Sequence, residues 1–504
     1  MKLKLLVTTD IHGNIFPTNY TTKDNIENFG FARIVSAIKK MRKEHPNLIL
    51  IDNGDGFQGS PLMTYALDHN YKNPITEVFN MIGYDYFNLG NHDFNYGQKI
   101  LWDYIQENNA KLLTQNIFYK DKPLGSMDIL KIENKKIAFV GVTTHYIPNW
   151  EKPSHIENFS FDDALTSLQN TVDLVKESVD FVIGIYHGGL EKDPETHIPT
   201  EMITGENQGF DMSQIEGLDI LLTGHQHRTL NLNLFNTVIT QTAHKAEEFA
   251  LVTINLETGD ITSELISSKG YEPDQEMLKH FETLQNKTQK WLDEDVGSLK
   301  DHDLLVHDGF DARLHKHPLI SFLNQVQLES TGADISCIAL FNDAKGFNQN
   351  ITNRDLVSTY VYPNTMVVKE MDGKTLKDMI DYASMYFDVD EKGNVKVRDH
   401  YAYPKPQHYN YDMFDGISYT IKASNERGSR ILDLMYQGSS IKDDQIFKVV
   451  MNNYRAMGGG DYDMALNAKT LQTYQDEMIE VLSNYFKKHS PVSIKHEDNI
   501  HVIP

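Results

Sequence analysis

Aspartate, asparagine and histidine recur in the first half of the chain where five short apolar runs end. The run 3–7 leads into Asp10, Ile11 and His12, and the run 48–51 into Asp52, Asn53, Gly54 and Asp55. Residues 86–89 lead into Gly90, Asn91, His92 and Asp93, and the run 181–185 into Tyr186, His187 and Gly188. The run 220–222 leads into Gly224, His225, Gln226 and His227. A donor set of carboxylate, amide and imidazole without thiolate suits divalent ions such as Mn²⁺, Zn²⁺ or Fe²⁺. Asp-x-His and His-x-His spacing puts both side chains on one side of an extended segment, so each pair is expected to reach a single site. Two ions about 3.5–4 Å apart need a shared ligand, and a carboxylate such as Asp55 can serve. Taken singly, each feature has a plainer explanation: a turn for Asp10-x-His12, a turn residue for Asn91, a hydrogen-bonded core histidine for His187. Five in order, each after an apolar run and usually beside glycine, point to one crevice.

The elements that must position these residues follow from the apolar pattern. Runs 3–7, 48–51, 137–142, 181–185 and 220–222 are short enough, and rich enough in β-branched residues, for buried strands. Phe31, Ile34, Val35, Ile38 and Met41 recur at helical spacing between the first two, and a second helix is expected over 161–178. Strands alternating with helices predict a layered α/β domain, whose sites lie at the carboxyl ends of the strands. A polar helical stretch over 275–292, after Gly270, Tyr271, Glu272 and Pro273, reads as a connector. Beyond it, helical patterns (319–328, 376–387, 471–486) mix with strand-like runs (335–340, 367–371, 417–421, 447–451), which predicts an α+β second domain. The span 388–410, rich in charge, Pro and Tyr, is the expected long excursion.

Composition narrows the partners. The 504 residues are too many for one core, and 40% hydrophobic with 23% charged is ordinary for a globular protein. A net charge of -24 argues against polymeric nucleic acid, but not against a small phosphorylated ligand whose charge is met by metal ions. Cys337 is the single cysteine, so no intrachain disulfide forms. No apolar run reaches the length of a signal-peptide core or a membrane span, so the sequence as given reads as cytoplasmic, with no membrane partner. The oligomeric state is not legible.

With these residues in view, the chain resembles the calcineurin-like metallophosphoesterases. The resemblance lies in Asp10-x-His12, Gly54-Asp55, Gly90-Asn91-His92-Asp93, His187 and Gly224-His225-x-His227. More narrowly, it resembles the two-domain 5′-nucleotidase and 2′,3′-cyclic-nucleotide phosphodiesterase family, through residues 8–14, Asp52 to Asp55 followed by Gln58-Gly59-Ser60-Pro61, and Asn453-Tyr454-Arg455-Ala456. The resemblance implies an N-terminal four-layered α/β/β/α domain (1–272), a helical linker (273–297) and a C-terminal α+β nucleoside-binding domain (298–504). It implies two divalent ions, one held by Asp10, His12, Asp55 and His227, the other by Asp55, Asn91, His187 and His225. His92 is then the catalytic residue that steadies the transferring phosphoryl group and protonates the leaving oxygen.

Two departures choose the branch. Where the 5′-nucleotidases resemble Gly-Asn-His-Glu-Phe-Asp, this chain has Asn95 in place of the final carboxylate, so His92 is expected to be less firmly polarised. The Gly-Gly-Gly-Ile-Arg block of that branch is replaced by residues 340–347, with Lys345 and no arginine. Both resemble the 2′,3′-cyclic-nucleotide 2′-phosphodiesterase/3′-nucleotidase branch. The alternatives are a 5′-nucleotidase or nucleotide-sugar hydrolase, and a nucleotide-binding regulator that does not turn over. A nucleoside also needs a flat clamp, worth about 1–3 kcal/mol per stacked base. Tyr454, Tyr362, Tyr462 and Phe414 are the candidates.

Overall fold

Alternating side chains along the strand Lys2–Thr8 decide the layering of the N-terminal unit. Leu3, Leu5 and Val7 face one way and join Ile49, Ile51, Ile137, Phe139, Ile183, Ile185, Ile220 and Leu222 in a single buried cluster. Leu6 and Leu50 are equally buried but point to the opposite face of the same sheet, as the period of two requires. One six-stranded sheet runs Ile261–Ser267, Glu248–Asn255, Lys2–Thr8, Ile49–Asn53, Tyr86–Asn88, Lys111–Leu112. The other runs Leu230–Leu234, Thr237–Gln241, Ile220–Leu222, Phe181–His187, Lys135–Thr143, Asp128–Ile132. The helix Phe31–Glu44 buries Phe31, Ile34, Val35 and Ile38, and the helix Gly97–Glu107 sets Tyr104 edge-on to Phe87 of the first sheet. The helix Ala164–Val175 lays Leu168, Val172 and Val175 against Val140 and Val142 of the second. Helix, sheet, sheet, helix is the four-layered arrangement expected.

The computed structural model describes residues 2–23, 25–200, 203–362, 364–403, 406–474 and 476–504, and it divides into Met1–Lys290 and Trp291–Pro504. In the second unit a five-stranded mixed sheet runs Asp412–Asp415, Ile335–Ala339, Ile446–Asn452, Met366–Asp372, Lys469–Thr473. The helix Pro318–Thr331 is tied to that sheet by Asn324, which donates to the Met413 carbonyl (3.1 Å) and accepts from Ser336 (2.7 Å). A four-stranded sheet runs Ser439–Ser440, Ile431–Tyr436, Ile417–Lys422, Ile500–Ile503.

Three expectations change. The span 273–297 is not one helical linker: the helix Gln275–Leu292 buries Met277 and Phe281, and its Gln285 accepts from Tyr20, at 2.9 Å. Residues of Asp295–Ser298 are a strand paired with Asn350–Thr352 in the second unit. The expected helix over 471–486 is a strand, Lys469–Thr473, followed by a helix, Met478–His489, because sheet pairing with Met366–Asp372 overrides the local pattern. The excursion at 388–410 includes a hairpin strand, Val395–Val397, paired with Phe387–Val389. Among the described residues, no helix is long and apolar enough to cross a membrane.

Candidate metal centre

Two buried asparagines lace the sheets together where the strands end. Asn53 donates from Ile49–Asn53 to the carbonyls of Tyr186 (2.9 Å) and Leu222 (3.2 Å) on the opposite sheet. Asn88 donates to Asn53 Oδ1 (3.2 Å) and to the Val142 carbonyl (2.8 Å). These amides tie the ends of Ile49–Asn53 and Tyr86–Asn88 to the facing strands Phe181–His187, Ile220–Leu222 and Lys135–Thr143. Beyond them the chain turns sharply. Asp10 (φ 52°), His12 (φ 50°), Asp55 (φ 54°), His225 (φ 68°) and His227 (φ 55°) all occupy the left-handed region. Each such residue costs about 1–3 kcal/mol and persists only where its surroundings over-determine it. The Asp10/His12 and His225/His227 pairs are therefore not on extended backbone, as their spacing suggested; curled loops aim both side chains inward.

The seven residues read from the sequence come together in the first unit. Asp10, His12 and His227 form one group, and Asp55, His187 and His225 another, each with ligand atoms within 4.8 Å of one another. Asn91 joins the second, its Oδ1 2.8 Å from His225 Nδ1. Burial opposes ionisation of Asp55, yet His187 and then His92 hold its carboxyl well below the usual range. Asp10 is likewise held low, against burial, by its hydrogen bond with His227 and the charge of His187.

The donor set fits cations. The inward atoms are acceptors set against acceptors. His12 Nδ1 bonds the Gln58 carbonyl (2.8 Å), which makes it the protonated nitrogen and leaves the Nε2 lone pair facing His227 Nε2 at 3.0 Å. Burial, then His227, pushes His12 down to about 3, so its imidazole is neutral. His225 Nε2 lies 2.9 Å from Glu206 Oε1, so Nδ1 turns its lone pair on the Asn91 oxygen. His187 Nδ1 bonds the Asn53 carbonyl (2.5 Å), while His187 Nε2 and Asp55 Oδ2 are buried without a hydrogen bond, 3.2 Å apart. Against burial, Asp55 raises His187 to about 10, a demand for positive charge that a cation meets in place of the proton.

Several residues at the site escaped the sequence reading. Asp93 is fully buried behind the loops, accepting from Gly90 (2.8 Å), Asp55 (3.2 Å) and Gly56 (3.2 Å) backbone N–H groups. Burial, then Asp55, raises its carboxyl to about 7. His244 stacks flat on His227 (4.5 Å, 3°), and Glu206 orients His225. Only the position of Asp93 beside His92 hinted at a role; nothing local marks Glu206 or His244.

His92 stands on a short 3-10 turn, His92–Phe94, its backbone N–H donating to Asp55 Oδ1 (2.8 Å) and its Nδ1 2.7 Å from Asn95 Oδ1. Gly90 supplies the room. A Cβ there would lie 2.1 Å from Asp55 Oδ1 and 2.5 Å from the Asp55 nitrogen. Gly90→Ala is expected to displace Asp55, lower metal content and cut kcat by roughly a hundred-fold, the cost of about 1 Å of misplacement. Metal analysis of the folded variant checks it.

The aromatic candidates of the second unit separate. Phe414 and Tyr462 are fully buried and offer no face to a ligand. Phe414 is a core residue of Asp412–Asp415. Tyr462 donates to the Asn410 carbonyl (2.7 Å) and carries the Arg455 guanidinium on its ring at 3.7 Å. That arginine is in turn bonded to buried Asp412 (2.5 Å). Tyr454 is half-buried, and Tyr362, 43% exposed, packs edge-on to Phe341 at 5.0 Å and to Tyr409 at 6.5 Å. The segment 340–347 has no arginine of its own, yet Arg313 reaches it from a helix and donates to the Leu340 (2.8 Å) and Phe341 (3.2 Å) carbonyls.

Two family models match the chain: calcineurin-like phosphoesterase over residues 3–229, and 5′-nucleotidase, C-terminal domain, over residues 296–467. A solved structure from Staphylococcus aureus, provisionally named a 5′-nucleotidase and in complex with alpha-ketoglutarate, is 33% identical. It covers 100% of both chains with a TM-score of 0.91. The 2′,3′-cyclic-nucleotide 2′-phosphodiesterase/3′-nucleotidase of Haemophilus influenzae is 23% identical over 96% of this chain and 84% of its own length. The trifunctional nucleotide phosphoesterase protein YfkN of Bacillus subtilis is 26% identical over 100% of this chain, which spans 39% of that relative's length.

Proposed function

Because the chain belongs to the calcineurin-like phosphoesterases, here joined to a 5′-nucleotidase C-terminal domain, we propose that it opens 2′,3′-cyclic nucleotides to 3′-monophosphates and then removes the 3′-phosphate. It is a hydrolase of phosphoester bonds. The reading rests on one observation above all: His92 is paired with the amide of Asn95, 2.7 Å away, and not with a carboxylate. The name of the Haemophilus relative points the same way.

Asp10, His12 and His227, with Asp55, are assigned to one divalent ion, and Asp55, Asn91, His187 and His225 to the other; Mn²⁺, Zn²⁺ or Fe²⁺ suits these donors. When bound, the ions activate a water as nucleophile and offset the charge growing on the phosphate. The protein's own part is to orient and to move a proton. His92 Nδ1–H is held by the Asn95 oxygen, and with a second proton on Nε2 the ring contacts a phosphate oxygen and gives that proton to the leaving 2′-oxygen as the P–O2′ bond breaks. Water supplies the oxygen that joins phosphorus, so the product is the 3′-monophosphate.

Tyr362, exposed and braced by Phe341, is assigned to the base. Tyr362→Ala is expected to raise KM for nucleotides by roughly five- to a hundred-fold, the equivalent of about 1–3 kcal/mol of stacking. Its kcat on bis-p-nitrophenyl phosphate, which has no base, should not change.

The name of the Staphylococcus relative favours a second reading, a 5′-nucleotidase. Incubating metal-loaded protein with 2′,3′-cyclic AMP and, in parallel, 5′-AMP separates the two. The proposal expects 3′-AMP and then adenosine from the cyclic ester. Cleavage of 5′-AMP with the cyclic ester untouched establishes the second reading instead.

A further inference from the structure

The carboxylate that Asn95 displaces from the side of His92 returns one residue further out. Asn95 Nδ2 donates to Glu151 Oε2 at 2.7 Å, while Asn95 Oδ1 faces His92 Nδ1 at 2.7 Å. Glu151 is itself fixed. Its side chain is 5% exposed, and Oε1 accepts from the Lys152 backbone N–H (2.8 Å) and meets His155 Nδ1 at 2.8 Å. Its backbone N–H bonds the Ile147 carbonyl (3.0 Å), at the start of the short turn Ile147–Asn149, and Ile147 is buried.

An amide's two ends are nearly the same size but opposite in hydrogen bonding, so its partners alone decide which end points where. A carboxylate can only accept. Glu151 therefore draws the Asn95 NH₂ to itself and turns the Asn95 oxygen toward His92. That oxygen can also only accept, so His92 must carry a hydrogen on Nδ1, whether or not Nε2 also holds one. Reversed, the Asn95 NH₂ would face Nδ1, which could then only accept, and the ring could not hold hydrogen on both nitrogens, as it must when Nε2 gives a proton to the leaving oxygen.

We propose that Glu151 is a positioning residue that acts through the Asn95 amide to fix the orientation and tautomer of His92. The inference rests on the reading of His92 given above. It accounts for how an amide replaces the carboxylate partner without freeing the imidazole, because the anion is kept and the amide relays it.

The test is a kinetic series on metal-loaded protein with 2′,3′-cyclic AMP: His92→Ala, Glu151→Ala, Glu151→Met and the double variant Asn95→Asp/Glu151→Ala. Metal content and thermal midpoint are measured for each. Glu151→Ala is expected to lower kcat about 10–100-fold, with KM within two-fold and metal content unchanged, in line with the loss of an orienting partner. Adding Asn95→Asp should restore kcat to within about three-fold of wild type, because a carboxylate beside Nδ1 has no donor end to misplace. If Glu151→Ala does not fold, Glu151→Met, similar in length but without an acceptor, carries the same expectation, and Asn95→Asp is added to it. A Glu151 that only anchors its loop gives a loss that Asn95→Asp does not rescue, and that result overturns the proposal. So does a kcat within two-fold of wild type in both Glu151 variants while His92→Ala is crippled, a result that leaves the role of His92 intact. A silent His92→Ala overturns both.

Discussion

Asp55→Ala is expected to leave a folded chain that holds at most one ion and turns over nucleotides more than about 10³-fold more slowly. The size follows from what Asp55 does. It is the only carboxylate in the group with His187 and His225, and the remaining donors there, two imidazoles and the Asn91 amide, are neutral when they bind a cation. Its charge also holds His187 up to about 10 against burial. Without it the second cation loses its anionic ligand, and the first loses the carboxylate assigned to be shared. Removing one stabilising donor from a phosphate or oxyanion site costs about 10²–10³ in rate, and an ion is a larger loss. The fold should survive, since the sheet-lacing bonds of Asn53 and Asn88 do not pass through Asp55. Metal analysis beside kcat/KM checks the expectation; two ions retained with activity lost would show that Asp55 is not the shared ligand.

His92→Ala is expected to separate chemistry from metal binding. Its ring nitrogen faces Asn95, and its contact with Asp55 is through the backbone N–H, which alanine keeps. Both ions should remain, KM should move little, and kcat should fall roughly 10²–10⁴-fold, the range for a group that transfers a proton in the transition state. A substrate whose leaving group needs no proton, such as a p-nitrophenyl ester, should lose much less. Equal losses on both substrates would assign His92 to phosphate stabilisation alone.

The site's membership was legible because it lies where buried strands stop. Apolar runs of three to five residues ending in Asp, Asn or His are a local signal, and strand carboxyl ends share one edge of a layered domain. The curled backbone at Asp10, His12, Asp55, His225 and His227 was not legible, since spacing suggests extended geometry and only tertiary bonds enforce positive φ. Asp93, Glu206, His244 and Glu151 were missed for a related reason. Each acts on a residue that, except for Asp93, is distant in sequence, and none sits in a pattern of its own. Tyr462 and Phe414 show the converse. An aromatic after glycines reads as a binding face, yet the Arg455–Asp412 ion pair needs cover, and Tyr462 provides it from inside the core. The connector helix was placed by its polar pattern, but Met277 and Phe281 bury it against the first unit, which a thin apolar stripe only hinted at.

The most direct test of the central claim, that these strand ends build a two-ion hydrolytic centre, is a titration of metal-stripped protein. Mn²⁺ is added stepwise while bound ions are counted and hydrolysis of 2′,3′-cyclic AMP is followed in the same samples. The account predicts no turnover in the stripped chain, activity that rises as the second ion binds, and saturation at two ions per chain. Full activity with one ion bound, or with none, would contradict it.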